Sequence, residues 1–290
     1  MITWFTDPLQ YGFMQRALLE VILMGLTCGV IGAYVVLRGM AFLGDALAHA
    51  IFPGVVIAFL LNINLFAGAL VFGILTVIGI AGIARNRRVS EDSAIGVLFT
   101  GAFALGVVLI SQVKGYTGNL ADFLVGQVLG VSTTDVLISV AVAVLVLGAL
   151  AFFNKELVLT AFDREMAEAM GLPVALLDMG LLLGIALTII VSLQAVGNIL
   201  VVAMLVTPAA AARLWTDRLP VMMALSALFG ILAGIGGLLV SYHGNFAAGG
   251  TIVLLVTLLF GVSYVFAPRH GWLTRRRLAR SPAPAQQNPA

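Results

Sequence analysis

Apolar residues run along this chain in long blocks separated by short polar breaks. Nine blocks stand out, at 12–37, 39–61, 64–84, 93–113, 135–153, 174–195, 197–213, 219–241 and 246–267. Each is long enough for a helix to cross a hydrocarbon core, which takes roughly 17–25 residues. Barrel-type alternation is absent, and lipid offers no water to unpaired backbone groups, so helix is the predicted state. The fold class is therefore all-α: a polytopic transmembrane helical bundle of about nine spans, eight being the alternative. The segment 119–131 is too short to span and is expected as a re-entrant or interfacial helix; were it to cross with its flanks, every later span would change direction.

Composition agrees with this pattern. The 290 residues are 61% hydrophobic and 10% charged, with a mean hydropathy of +1.13. A soluble domain carries about 25% charged residues, so little mass is expected outside the bilayer. The net charge of +2 says little, but its distribution sets the topology. Arg38, Arg85, Arg87, Arg88, Lys155, Arg164, Arg213, Arg218, Arg269, Arg275, Arg276, Arg277 and Arg280 fall on one side, against Arg16 and Lys114 on the other. The crowded side is expected to be cytoplasmic, which puts residues 1–11 outside, the transmembrane domain at 12–267 and a tail at 268–290 inside. That tail is basic at first and disordered by composition at its end. No cleavable signal peptide is expected, since the first apolar block is too long for one. The lone Cys28 excludes a disulfide within the chain and a paired-cysteine metal cluster.

Asp45 and His49 break the second block from within. A carboxylate in hydrocarbon costs roughly 2.5–3.5 kcal/mol even on lenient insertion scales. Four positions apart, the two side chains share one helix face. An oxygen and a nitrogen ligand facing a polar path suit a divalent cation in transit; the bland alternative is an Asp–His hydrogen bond that only orients helices. Pro53 lacks the amide that would bond the His49 carbonyl, leaving either a simple kink or an additional oxygen ligand. Pro208, after Thr207, is a second expected kink, freeing the Met204 carbonyl with a role in gating. Glu20 and Asp178 either line the path or pair with a neighbouring helix. His243, in an outer loop, is expected to be solvated, and His270 has no evident role.

The longest inward connection is 154–173. Asp163 is a good N-cap, Glu165 adds charge to the first turn, and Gly171 with Pro173 ends the helix. Met166 and Met170 share a face near Ala167. Such a helix either docks into a groove on a soluble partner or merely covers the next span. Ser90, with Glu91 and Asp92, caps the fourth span.

Several segments together resemble the membrane permease subunit of zinc/manganese/iron-type ATP-binding-cassette importers: LGDALAHAIFPGVVIAFLL (43–61), SEDSAIGVLFT (90–100), LADFLVGQVLGVSTTD (120–135), TAFDREMAEAMGLP (160–173) and QAVGNILVVAMLVTPAAAARL (194–214). The resemblance implies a homodimer in the bacterial inner membrane, a separate cytoplasmic ATP-binding subunit, and a periplasmic or surface-tethered metal-binding protein. It assigns Asp45 and His49 to the metal path and 165–171 to the coupling helix. It implies a transport subunit rather than an enzyme, with no permanent cofactor and no nucleic-acid partner. The chain has no GxxxxGK[ST] loop, which fits a permease whose motor is another chain. Two copies would supply two carboxylates and two imidazoles, enough for tetrahedral zinc, or for manganese with added oxygen donors. Zinc is the first expectation, manganese the next, with Fe2+ compatible with the same donors. Rival classes are an iron-chelate or corrinoid permease, which needs no such pair, and a secondary carrier, which predicts matched broken helices in two halves.

Overall fold

A computed structural model describes residues 7–84, 89–112, 128–274 and 276. Among these, nine helical segments are long and apolar enough to cross a membrane, as the block pattern predicts. In chain order the helices are α1 (Gly12–Leu37), α2 (Leu43–Ala50), α3 (Phe52–Leu60), α4 (Leu65–Ala84), α5 (Glu91–Ser111), α6 (Thr133–Phe152), α7 (Asn154–Phe162), α8 (Arg164–Ala169), α9 (Val174–Val196), α10 (Asn198–Trp215), α11 (Leu219–Gly244) and α12 (Ala248–Phe266). The second span is the pair α2–α3.

Side-chain caps set the starts of two of the spans. Ser90 Oγ accepts from the Ser93 amide at 3.1 Å at the head of α5. Ser132 and Asp135 form a reciprocal capping box on α6, so this span begins two residues before the apolar block does. Most of 119–131 and all of Lys114, Arg85, Arg87 and Arg88 lie outside the described residues. The described part of that segment, Val128–Gly130, is a single 3-10 turn.

Helix α1 forms the centre, with Ile31, Tyr34 and Val35 fully buried. It meets α11 through small residues. A Cβ at Gly29 would lie 2.6 Å from Ala227 Cα, so the backbones touch in the way that small residues permit between membrane helices. α1 ends in a Schellman motif: Gly39 (φ +72) and Met40 donate their amides to Val36 and Val35. This reverses the chain into α2 within residues 38–42. Glu20, 1% exposed, accepts from Ser139 Oγ at 2.7 Å and so ties α1 to α6. Asp178 pairs with Arg38 and Arg164. Both acids therefore follow the helix-pairing alternative.

Candidate functional site

The turn at Gly39 delivers α2 with Asp45 in its first turn and His49 in its last. The His49 ring nitrogen Nδ1 lies 2.9 Å from the Asp45 backbone carbonyl and 3.6 Å from Asp45 Oδ1. A carbonyl only accepts, so Nδ1 is the donor in this contact, and Nε2 is the ring nitrogen not engaged by it. The ring is wedged edge-on against Phe99 and Phe103 of α5, at centroid distances of 5.7 and 5.4 Å. Tautomer and ring plane are thus both set by neighbours, as the outer shell of a metal-binding histidine requires. The two side chains are 22% (His49) and 41% (Asp45) accessible on the surface of the single chain. They are neither sealed in the core nor fully displayed.

Asp45 has a second neighbour that the sequence pattern did not single out. Asn198 Nδ2 donates to Asp45 Oδ1 at 3.4 Å. Asn198 is 5% exposed, and its Oδ1 has no hydrogen-bond partner. It is the first residue of α10, after Gly197 at φ +87. The N-terminus of α10 therefore lies at Asp45. Among the described residues, no group of three or more His, Cys, Asp or Glu side chains is placed to hold a metal ion. One chain offers a pair.

Pro53 lies at the start of α3, and Ile51, between α2 and α3, keeps helical angles, so Leu43–Leu60 is one span. Pro208 lies inside its helix. α10 runs on from Asn198 to Trp215. Met204, Leu205, Pro208 and Ala209 are all buried there, and packing on neighbours holds the helix across the missing bond.

In the 154–173 connection, Asp163 Oδ1 accepts from the Met166 amide at 2.9 Å and caps α8. Gly171 takes φ +77 after its end. Glu165 lies in the first turn. Met166 and Met170 are exposed, whereas Ala167 is fully buried, so Ala167 belongs to the inner face and not to the methionine face. The connection also holds α7, a helix that its apolar pattern is too short to announce. His270 has a partner after all: with Arg269 it holds Asp217, at 2.9 and 2.7 Å. The start of the tail is thereby pinned to the α10–α11 turn. His243 stacks edge-on with Tyr242 at 5.2 Å.

Residues 10–267 match the model of the ABC 3 transport family. The chain belongs to that family. It is 46% identical over 275 residues to the manganese transport system membrane protein MntC of Halalkalibacterium halodurans, covering 94% of each chain. It is 42% identical over 277 residues to the manganese import system permease protein ScaB of Streptococcus gordonii, covering 95% of this chain and 99% of that one. The chelated iron transport system membrane protein YfeD of Yersinia pestis is 38% identical over 266 residues, covering 92% and 89%. Among solved structures, PsaBC from Streptococcus pneumoniae in complex with Fab aligns with a TM-score of 0.82 at 40% identity. That alignment covers 95% of this chain and 100% of the other. As an ABC 3 family member, the chain is a multi-pass helical permease of a metal-type bacterial ABC importer in the inner membrane.

Proposed function

We propose that this permease carries Mn2+ into the cytoplasm, with Asp45 and His49 as the cargo ligands contributed by each of two copies. The observation that carries the proposal is the His49 Nδ1 bond to the Asp45 carbonyl at 2.9 Å. It occupies Nδ1, which also lies 3.6 Å from Asp45 Oδ1, and leaves Nε2 as the ring atom to meet a cation. Both side chains are partly accessible and lie on the span that carries Pro53. Accessible polar groups at membrane depth belong on a cavity rather than against lipid. A twofold copy doubles the set to two oxygens and two nitrogens from side chains. The His49 carbonyl, freed by Pro53, and water would complete a higher-coordinate manganese shell.

Manganese is placed ahead of the zinc first expected because the names of MntC and ScaB speak of manganese. The N-terminus is outside and the C-terminus inside, as the arginine bias demands. A separate ATP-binding subunit docks on α8 through Met166 and Met170, with Asp163, Glu165 and Gly171 shaping the helix ends. A metal-binding protein outside the cell supplies the cation.

The test is uptake in cells that depend on this importer. Asp45→Asn and His49→Gln are expected to reach the membrane at normal abundance and to lose at least nine-tenths of 54Mn uptake. Normal uptake in both variants would refute the assignment. Competition by Zn2+ in the wild type reads the metal preference directly, and Mn2+ uptake is expected to persist in a tenfold excess of Zn2+.

A further inference from the structure

Asp178, near the start of α9, is gripped from two directions. Arg38 Nη1 donates to its Oδ1 at 2.6 Å and Arg164 Nη1 to its Oδ2 at 2.9 Å. Arg38 also reaches Thr160 Oγ1 of α7 at 3.3 Å, and Arg164 reaches Glu168 on its own helix at 3.4 Å. The Arg38 and Asp178 side chains are 11% and 14% exposed. Arg38 closes α1, and residues 39–42 alone separate it from α2 with Asp45 and His49. Arg164 is the first residue of α8. One carboxylate thus joins the proposed docking helix to the turn that aims the metal-binding pair.

We infer that the Arg164–Asp178–Arg38 triad is the link through which a displacement of α8 reaches Asp45 and His49. The inference rests on the reading of α8 as the ATPase docking helix. Stability alone explains the triad poorly, because buried ion pairs are often no better than apolar packing of the same shape. Here both carboxylate oxygens are committed, one to each arginine, so moving either guanidinium loads the other. Arg38 Nε stays buried without a partner, so the guanidinium is set by its grip on Asp178 and not by its own full satisfaction. The tight turn at Gly39 then passes a shift of Arg38 into α2 with few free torsions between.

The test uses the purified complex of this chain with its ATPase subunit in liposomes, reading 54Mn uptake and ATP hydrolysis together. Asp178→Asn keeps the side-chain shape and removes the charge that holds both arginines. The expected result is an ATPase subunit that stays bound, hydrolysis within twofold of wild type, and Mn2+ moved per ATP down at least tenfold. Asp178→Glu is expected to restore half or more of that ratio. An unchanged ratio in Asp178→Asn, including a proportional fall of both activities, would overturn the link. Should Asp178→Asn fail to reach the membrane, Arg164→Gln carries the same ratio test, since its side chain is half exposed and leaves Arg38 in place. Met166→Asp tests the docking helix separately. If the ATPase still co-purifies with that variant, the docking reading and the link fall together. If it is lost there while Asp178→Asn keeps a normal ratio, only the link falls.

Discussion

Replacing Asn198 by alanine separates what this residue does for stability from what it does for transport. The substitution removes the hydrogen bond to Asp45 Oδ1, which at 3.4 Å is long. A bond to a charged group is worth about 1.5–3 kcal/mol at good geometry, so this one belongs at or below the bottom of that range. The same substitution removes Oδ1, an oxygen that is buried without a partner and costs about 1–3 kcal/mol where it is. The two terms offset to within about 1 kcal/mol, and thermal unfolding in detergent is expected to be nearly unchanged. Transport has no such compensation. Asp45 loses the donor that fixes its carboxylate, and a loss of about 1 kcal/mol in placing the cation lowers uptake at subsaturating Mn2+ roughly fivefold. The assay is 54Mn uptake over a concentration series, beside a melting curve of the purified variant. A variant that unfolds more than about 2 kcal/mol more easily yet transports normally would refute the reasoning, because Asn198 would then be a packing residue only.

Further outcomes follow from other contacts. Gly29→Leu forces a Cβ to within 2.6 Å of Ala227 Cα and is expected to cost at least about 1–3 kcal/mol as overpacking, read as a lower melting temperature; an unchanged one would contradict the close α1–α11 contact. Ser139→Ala strips Glu20 of its described hydrogen bond while Oε2 already lacks one. A loss of about 1–3 kcal/mol is expected, with Glu20→Gln milder than Ser139→Ala in the same melting assay. Asp217 titrates below its ordinary value of 3.8, first because of the His270 hydrogen bond and then that of Arg269. A depressed carboxyl stabilises above its unfolded value and loses that contribution as pH falls through the folded one. Hydrogen exchange at residues 269–274 is therefore expected to quicken on acidification below about 4, and Asp217→Asn should abolish that step.

The spans were legible because a bilayer demands long apolar helices, and the nine blocks and the nine helical segments agree to within a few residues. Asp45 and His49 were legible for a related reason, since charge at membrane depth is rare and a spacing of four puts both on one face. Asn198 was not, because its partner lies 153 positions away and a polar residue after glycine reads as an ordinary turn. Pro53 and Pro208 look equivalent as residues. One lies near the start of a helix and the other inside one, and how far each bends its span depends on the packing around it. That Ala167 is buried while Met166 and Met170 are exposed was not legible, because three nearby small or apolar residues on a short helix do not reveal which of them faces inward. His270 looked idle for the same reason as Asn198: its partner Asp217 is distant in sequence and invisible to local pattern.

The most direct test of the cargo site is pulsed electron paramagnetic resonance of Mn2+ bound to the purified permease complex. Coordination by His49 predicts a 14N modulation from imidazole in the wild type that disappears in His49→Gln. A modulation that persists in His49→Gln, or its absence from the wild type, would mean that the cation does not pass this ring.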